Sequence, residues 1–230
     1  MKPKTKHICI RTKGNHAQGM GDIYGSLAIA EELRRRKHAV SFIIDNDRAA
    51  KRIISAHAFP LRVVRGGNEP RTWGNERYDA CIVNQLTTQT PLLRFIKNRC
   101  AKLITIDDAG KAAQKIADLR INPLYYVRGA VCHPSYIPLD RIFQKHHSAR
   151  KAIRPVIKKI LVTMGGSDTY GFTPHVIRIL GHSWAKECAL TVIRGPASKH
   201  SPRHIQTLLG AAKNTRLLKS IPQKAMLRWM

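Results

Sequence analysis

Three short loops in this sequence hold residues that could do chemistry on a phosphorylated or hydroxylated ligand. The first, Gly14-Asn15-His16-Ala17-Gln18-Gly19-Met20-Gly21-Asp22, combines two glycines that allow close backbone approach with two titratable side chains. Either His16 or Asp22 could take a proton from water or a substrate hydroxyl within hydrogen-bond reach. The spacing is not the dinucleotide fingerprint, because Gly25 falls one residue late, and no P-loop lysine follows. A plain tight turn with Asp22 as helix N-cap explains the same residues equally well. The second loop, Asp107-Asp108-Ala109-Gly110, pairs two acids that suit sugar hydroxyls or a cation, although Asp107 is as well placed to cap a helix starting at Lys111. The third, Met164-Gly165-Gly166-Ser167-Asp168, puts two glycines and a hydroxyl directly after an apolar run. Backbone amides in such a turn suit a diphosphate. Asp168 and Glu187 are the only carboxylates after residue 150, so Asp168 reads as a cap or a ligand contact rather than incidental surface charge.

These loops need elements to hold them, and the apolar pattern supplies a strand before each. Short apolar runs predict strands over 7–10, 39–44, 61–64, 80–83, 102–106 and 119–121, then 159–164, 190–193 and 216–218. Helical spacing predicts helices over 23–33, 48–56, 92–99, 175–180, 205–212 and 221–230. Strands that are apolar throughout and alternate with helices indicate a parallel sheet covered on both faces. Ligands of such sheets bind beyond the carboxyl ends of the strands, which is where the three loops lie. Prolines at 123, 134, 138 and 155 break the pattern. We therefore expect a first Rossmann-like lobe over 1–125, a crossover over 126–157 and a nucleotide-binding lobe over 158–230.

Composition narrows the partners. The chain has 230 residues, 43% hydrophobic and 24% charged, which excludes a disordered or collagen-like protein. The formal net charge is +27, from 41 basic and 14 acidic residues, and predicts attraction to anions. Nucleic acid is the less favoured anion: only 6% of residues are aromatic, and the Arg34-Arg35-Arg36-Lys37 cluster ends a helix, where cations favour the dipole anyway. An anionic membrane touched peripherally is also compatible with the charge. Five widely spaced cysteines without a CxxC pair read as reduced thiols, so no metal and no cofactor is expected. No apolar run reaches membrane-spanning length and the N-terminus lacks a signal peptide's apolar region, which predicts a cytoplasmic protein.

With the loops in order, the sequence resembles the UDP-sugar hydrolases of pseudaminic acid biosynthesis and the spore-coat polysaccharide biosynthesis proteins. The resemblance rests on Arg11, Gly19-Met20-Gly21-Asp22-Ile23-Tyr24 leading into Leu27-Ala28, Ile106-Asp107-Asp108, Asp118 with Ile121-Asn122, and Met164-Gly165-Gly166-Ser167-Asp168. It implies an α/β protein with two Rossmann-like lobes of GT-B type. It also implies a nucleotide-sugar substrate in surface polysaccharide or nonulosonic acid biosynthesis. Gly19, Gly21, Asp107, Asp108, Gly165, Gly166, Ser167 and Asp168 would bind that substrate, with Asp22 and His16 as catalytic groups. Two departures matter. The family usually carries a histidine, thought to be the base, where this chain has Asp22, and commonly an arginine where it has Gly25. Asp22 would be a weaker base unless burial raised its pKa, a rise the surrounding positive charge would oppose. That shifts weight from hydrolysis toward glycosyl transfer or a catalytically degenerate site. The family also continues into a further strand and a ribose-binding Glu, so the second lobe is expected to be incomplete.

Overall fold

A computed structural model describes residues 4–15, 17–145, 155–182, 187–210, 214–227 and 229. The chain divides into two compact units. One comprises the residues up to Gly14 together with Asp22–Asp140, and the other comprises Asn15–Gly21 together with the chain from Arg141 onward.

The first unit is built on six parallel strands: β1 (His7–Thr12), β2 (Ala39–Asp45), β3 (Leu61–Val64), β4 (Tyr78–Asn84), β5 (Cys100–Ile106) and β6 (Leu119–Ile121). Their order in the sheet is β3-β2-β1-β4-β5-β6. This is the doubly wound order, and the direction of winding reverses between β1 and β4. The register pairs Cys9 with Ser41 on one side and with Cys81 on the other. Near-continuous apolar runs make the central strands buried on both faces: Ile10, Phe42, Ile44, Val83 and Leu103 are all inaccessible. The helices α1 (Gly21–Arg35), α2 (Arg48–Ser55), α3 (Glu69–Trp73), α4 (Thr90–Lys97) and α5 (Lys111–Ile116) connect them. α1 turns Ile23, Leu27 and Ala30 into the core, and its last turn carries Arg34 and Arg35, paired with Glu31 and Glu32 three residues earlier.

The helix α3 has no counterpart among the expected elements. Glu69-Pro70 reads as a break, yet Pro70 sits in the first turn, where its missing N–H costs nothing, and Asn68 caps the end by accepting from the Arg71 N–H. The driving force is Trp73, which is fully buried in the core beside Tyr78 and Phe95. Beneath it Arg11, 1% exposed, is held by Asp45 and by Glu69 at 2.6 Å, while the second Glu69 oxygen accepts from the Trp73 indole at 2.8 Å.

The stretch from 122 to 145 is more ordered than its prolines imply. Val131 bridges to Ile121, a 3-10 turn covers Pro134–Tyr136, and α6 spans Arg141–Lys145. The second unit carries three parallel strands, β7 (Lys159–Thr163), β8 (Ala189–Arg194) and β9 (Thr215–Lys219), in that order. With α7 (Phe172–Gly181) and α8 (Pro202–Leu209), they enclose a core of Val162, Ile177, Leu190, Val192, Ile205 and Leu209. The helix expected over 221–230 is shorter, α9 spanning Gln223–Met226, after a start at Pro222. The protein is α/β with parallel sheets, as the alternating pattern indicates.

Candidate functional site

The candidate residues of the first unit cluster at the carboxyl ends of β1, β4 and β5, around the point where the winding reverses. α1 begins at Gly21, directly after the first loop, and Asp22 lies in its first turn. Asn84, the last residue of β4, locks that turn in place: its amide donates to the Asp22 carbonyl at 3.1 Å and to Ser26 Oγ at 3.0 Å. Thr12, at the end of β1, donates its hydroxyl to the Asn84 carbonyl at 3.1 Å. The backbone at Asp22 is thereby held in place, and its carboxyl is half-buried. Burial, reinforced by the nearby negative charge of Asp107, lifts its pKa from 3.8 to about 6. The expected opposition from positive charge does not materialise: the charge that acts on Asp22 is another carboxylate, Asp107. Asp107 is itself raised by burial.

The acid pair after β5 divides its work differently from expectation. Asp107 does not cap α5, whose N-cap is Gly110 with no side-chain acceptor. The turn is held by Asp108 instead, fully buried, with Oδ1 accepting from the Gly110 N–H at 2.8 Å. Asp107 adopts a left-handed backbone (φ +59°), unusual for a residue with a side chain, and its N–H donates to the Ile121 carbonyl at 2.9 Å. Asp107 Oδ1, Asp108 Oδ2, Asn84 Oδ1 and both side-chain polar atoms of Asn122 are buried with no hydrogen-bond partner among the described residues. Unsatisfied groups at this density are a common mark of a polar ligand site.

Gly25 packs closely within the first unit: a Cβ there would come within 3.0 Å of the Pro138 side chain. The close packing of α1 on Pro138 leaves little room for a long side chain at this position.

The first loop itself is closed by paired backbone bonds between Asn15 and Gly19, at 3.2 and 2.9 Å, and Asn15 Oδ1 accepts from the Gln18 N–H. Gly19 has φ +87°, a conformation that needs glycine. His16 lies outside the described residues.

In the second unit the loop after β7 forms a tight turn closed by the Asp168 N–H donating to the Met164 carbonyl at 3.2 Å. The amides of Gly165, Gly166 and Ser167 lie within it. The sequence left Asp168 between cap and ligand contact, and the geometry makes it a cap: its two oxygens accept from the N–H groups of Phe172 (2.8 Å) and Thr173 (3.1 Å), the opening residues of α7. His200 Nε2 stands 3.5 Å from the same carboxylate. The positive end of α7 is thus already met by a fixed anion, leaving the loop amides as the donors a diphosphate would use.

Gly166 and Gly195 are required by their neighbours. A Cβ on Gly166 would fall 2.4 Å from Met20 Cβ, within the same unit. Gly195, at the end of β8, backs onto the turn so closely that a Cβ would meet the Gly165 and Gly166 carbonyl oxygens at 2.3 and 2.4 Å. The Ala197 N–H donates to the Gly166 carbonyl at 2.8 Å, and the Arg194 guanidinium ties the 195–200 loop by donating to the Ser198 and His200 carbonyls, each at 2.6 Å. Sequence reasoning named Asn122 only as part of a motif, without a site role, and missed Asn84, Arg194 and Gly195. Asn84 and Asn122 carried the one available signal, polar residues placed at the ends of apolar strands.

Among the described residues no group of three His, Cys, Asp or Glu side chains could hold a metal ion, and all five cysteines are free thiols. No helix among them is long and apolar enough to cross a membrane.

No protein-family model matches the chain. An uncharacterized protein of Methanocaldococcus jannaschii is 25% identical over 210 residues, covering 82% of this chain, and the chain spans 42% of that relative's length. Among solved structures, MurG of Acinetobacter baumannii matches 97% of this chain and 70% of its own with a TM-score of 0.58 at 14% identity. An alpha-glucosyltransferase in complex with UDP and a 13-mer DNA containing a HMU base matches 97% of this chain and 68% of its own, with a TM-score of 0.56 at 14% identity. At such identities the likeness is one of fold, and the fold is that of the GT-B glycosyltransferases.

Proposed function

We propose that this chain binds a nucleotide sugar and transfers its glycosyl group to water or to an acceptor hydroxyl, with Asp22 as general base. The observation that carries the reading is the Asp22 carboxyl in the first turn of α1, at the winding reversal where Asn84 holds the Asp22 backbone, half-buried, beside Asp107 and raised to about 6. A carboxylate of that basicity is mostly ionised at neutral pH yet still takes a proton readily, which suits it to general-base work. In the reaction, Asp22 accepts the proton of the attacking water or hydroxyl as its oxygen bonds to the anomeric carbon. The bond from that carbon to the diphosphate oxygen breaks, and the nucleotide leaves with the electron pair. Within the second unit, the amides of Gly165, Gly166 and Ser167 are donors of the kind that suits a diphosphate. Asp107, Asn84 and Asn122 offer hydrogen-bonding atoms to the sugar or acceptor hydroxyls.

The fold supports nucleotide-sugar chemistry as the class, and the alpha-glucosyltransferase of similar fold was solved with UDP bound. The motif resemblance supports a UDP-sugar on the way to a surface polysaccharide or nonulosonic acid. The test is release of UDP from a panel of UDP-hexoses and UDP-N-acetylhexosamines, followed against pH, with and without an added sugar acceptor. Turnover should rise through about pH 6 and be abolished in Asp22→Asn. A folded wild-type chain that turns over none of them, or an Asn variant that retains the wild-type rate, contradicts the proposal.

A further inference from the structure

The charge of +27 far exceeds what one diphosphate needs, and part of it lies in sequence beside an exposed apolar segment of the first unit. Between Leu119 and Leu139 it leaves seven large apolar side chains in solvent: Leu119, Leu124, Tyr125, Tyr126, Val131, Tyr136 and Leu139. Leu124 is 67% exposed and Tyr126 82%. Isolated exposed leucines are ordinary, but such a concentration within one short segment marks a surface that meets something apolar. Half of the protein's six tyrosines are in it.

The segment is held, not loose. The Val131 N–H donates to the Arg120 carbonyl at 2.8 Å and the Asn122 N–H to the Val131 carbonyl at 2.9 Å, pinching residues 123–130 into a tongue at the edge strand β6. A turn closed by the Ala130 N–H on the Val127 carbonyl, with Gly129 at φ +74°, shapes its tip. The Cys132 thiol donates back to the Val127 carbonyl at 3.5 Å, and the Tyr125 hydroxyl reaches the Asp107 carbonyl at 3.4 Å. Leu124 and Tyr126 therefore project from a fixed base, so little conformational entropy is lost when they are covered.

The charge around the tongue is mostly positive, with Asp118 and Asp140 as the acids next to and within the segment. Arg128 and Arg141 are exposed within or just after it, as are Lys111 and Lys115 on α5, the helix that leads into β6. From Leu119 to Lys145 the only acid is Asp140. Tyrosine and leucine beside arginine and lysine match a lipid bilayer's interface, with apolar groups at the acyl boundary and cations among anionic headgroups. Leucine and valine give nothing to a sugar-phosphate backbone, so the composition favours lipid over nucleic acid. Weak insertion and electrostatic attraction are each marginal alone but reinforce one another when combined.

We propose that the segment from Leu119 to Arg141 is a membrane-docking surface that holds the protein peripherally on a bilayer rich in anionic lipid. The test is co-sedimentation of the full chain with vesicles of phosphatidylcholine alone, or of phosphatidylcholine mixed with phosphatidylglycerol, across a salt series. Three variants accompany it: Tyr126→Ser, the double Leu124→Ser/Tyr126→Ser, and Tyr170→Ser as a control. Tyr170 is as exposed as Tyr126, at 82%, but lies in the second unit. All three change solvent-facing groups, and their melting temperatures should match that of the wild type. The wild type should partition onto the phosphatidylglycerol vesicles and come off as salt rises. Partition should fall about tenfold or more in the double variant, less in Tyr126→Ser and not at all in Tyr170→Ser, as expected if Leu124 and Tyr126 insert. No partition onto anionic vesicles, equal partition of the double variant, or an equal loss in Tyr170→Ser overturns the proposal. So does strong duplex DNA binding by a chain that leaves the vesicles untouched.

Discussion

Replacing Asp22 with asparagine should stabilise the protein at neutral pH while removing its base. In the folded chain the carboxyl is raised from 3.8 to about 6, so the fold favours the protonated form. The wild type is therefore unpenalised below about pH 4 and loses stability as pH climbs toward 6, where Asp22 must ionise beside Asp107. The rise corresponds to at most about 3 kcal/mol at ~1.4 kcal/mol per tenfold change. Asp22 keeps some contact with solvent, which screens the charge and reduces the expectation to about 1–2 kcal/mol. Asparagine has the same shape and no charge, so it recovers that amount above pH 6 and nothing below pH 4. For a chain of this size the gain is a melting-temperature rise of roughly 2–8 °C. The assay is thermal denaturation of both proteins at about pH 4 and about pH 8, read by circular dichroism. A difference that does not change with pH, or an asparagine variant less stable than wild type at about pH 8, refutes the assignment of Asp22 as a buried, strained carboxylate.

Other substitutions probe the frame around the site. Asp107→Asn should lower the pKa of Asp22, moving the acid limb of the activity profile below 6, measurable as the pH dependence of turnover. Glu69→Gln leaves Arg11 buried against one fewer carboxylate and should cost about 3 kcal/mol in urea unfolding, as removal of one partner from a buried ion pair does. Asp168→Ala strips the opening amides of α7 of their acceptor and should cost about 1–2 kcal/mol by the same measurement. Gly195→Ala forces a methyl onto the Gly165 and Gly166 carbonyls and should weaken UDP binding more than it lowers the melting temperature.

Much of the sheet was readable because its strands are buried on both faces and are therefore apolar runs, as with Phe42-Ile43-Ile44 and Cys81-Ile82-Val83. The short helix α3 was not, since Pro70 looks like a break and only the burial of Trp73 shows why the chain coils there. The three loops stood out by glycine and acid content, and their positions after strands followed from the alternation alone. What no pattern could reveal was the use of each acid. Asp107 and Asp108 are neighbours of identical type, yet a left-handed backbone at Asp107 sends one toward Asp22 and leaves the other to close a turn. Asp168 likewise became a cap through bonds to residues four and five positions on. The basicity of Asp22 comes first from burial and then from Asp107, 85 positions away in the chain, and only the folded sheet supplies both.

The central claim is a nucleotide-diphosphate site built on the glycine turn after β7. Isothermal titration of the full chain with UDP, beside Gly166→Ala, tests it most directly. Saturable binding to the wild type is expected, with affinity about tenfold or more weaker when the methyl displaces the turn. Absence of binding to folded wild-type protein at millimolar UDP, or equal affinity in the two proteins, would contradict it.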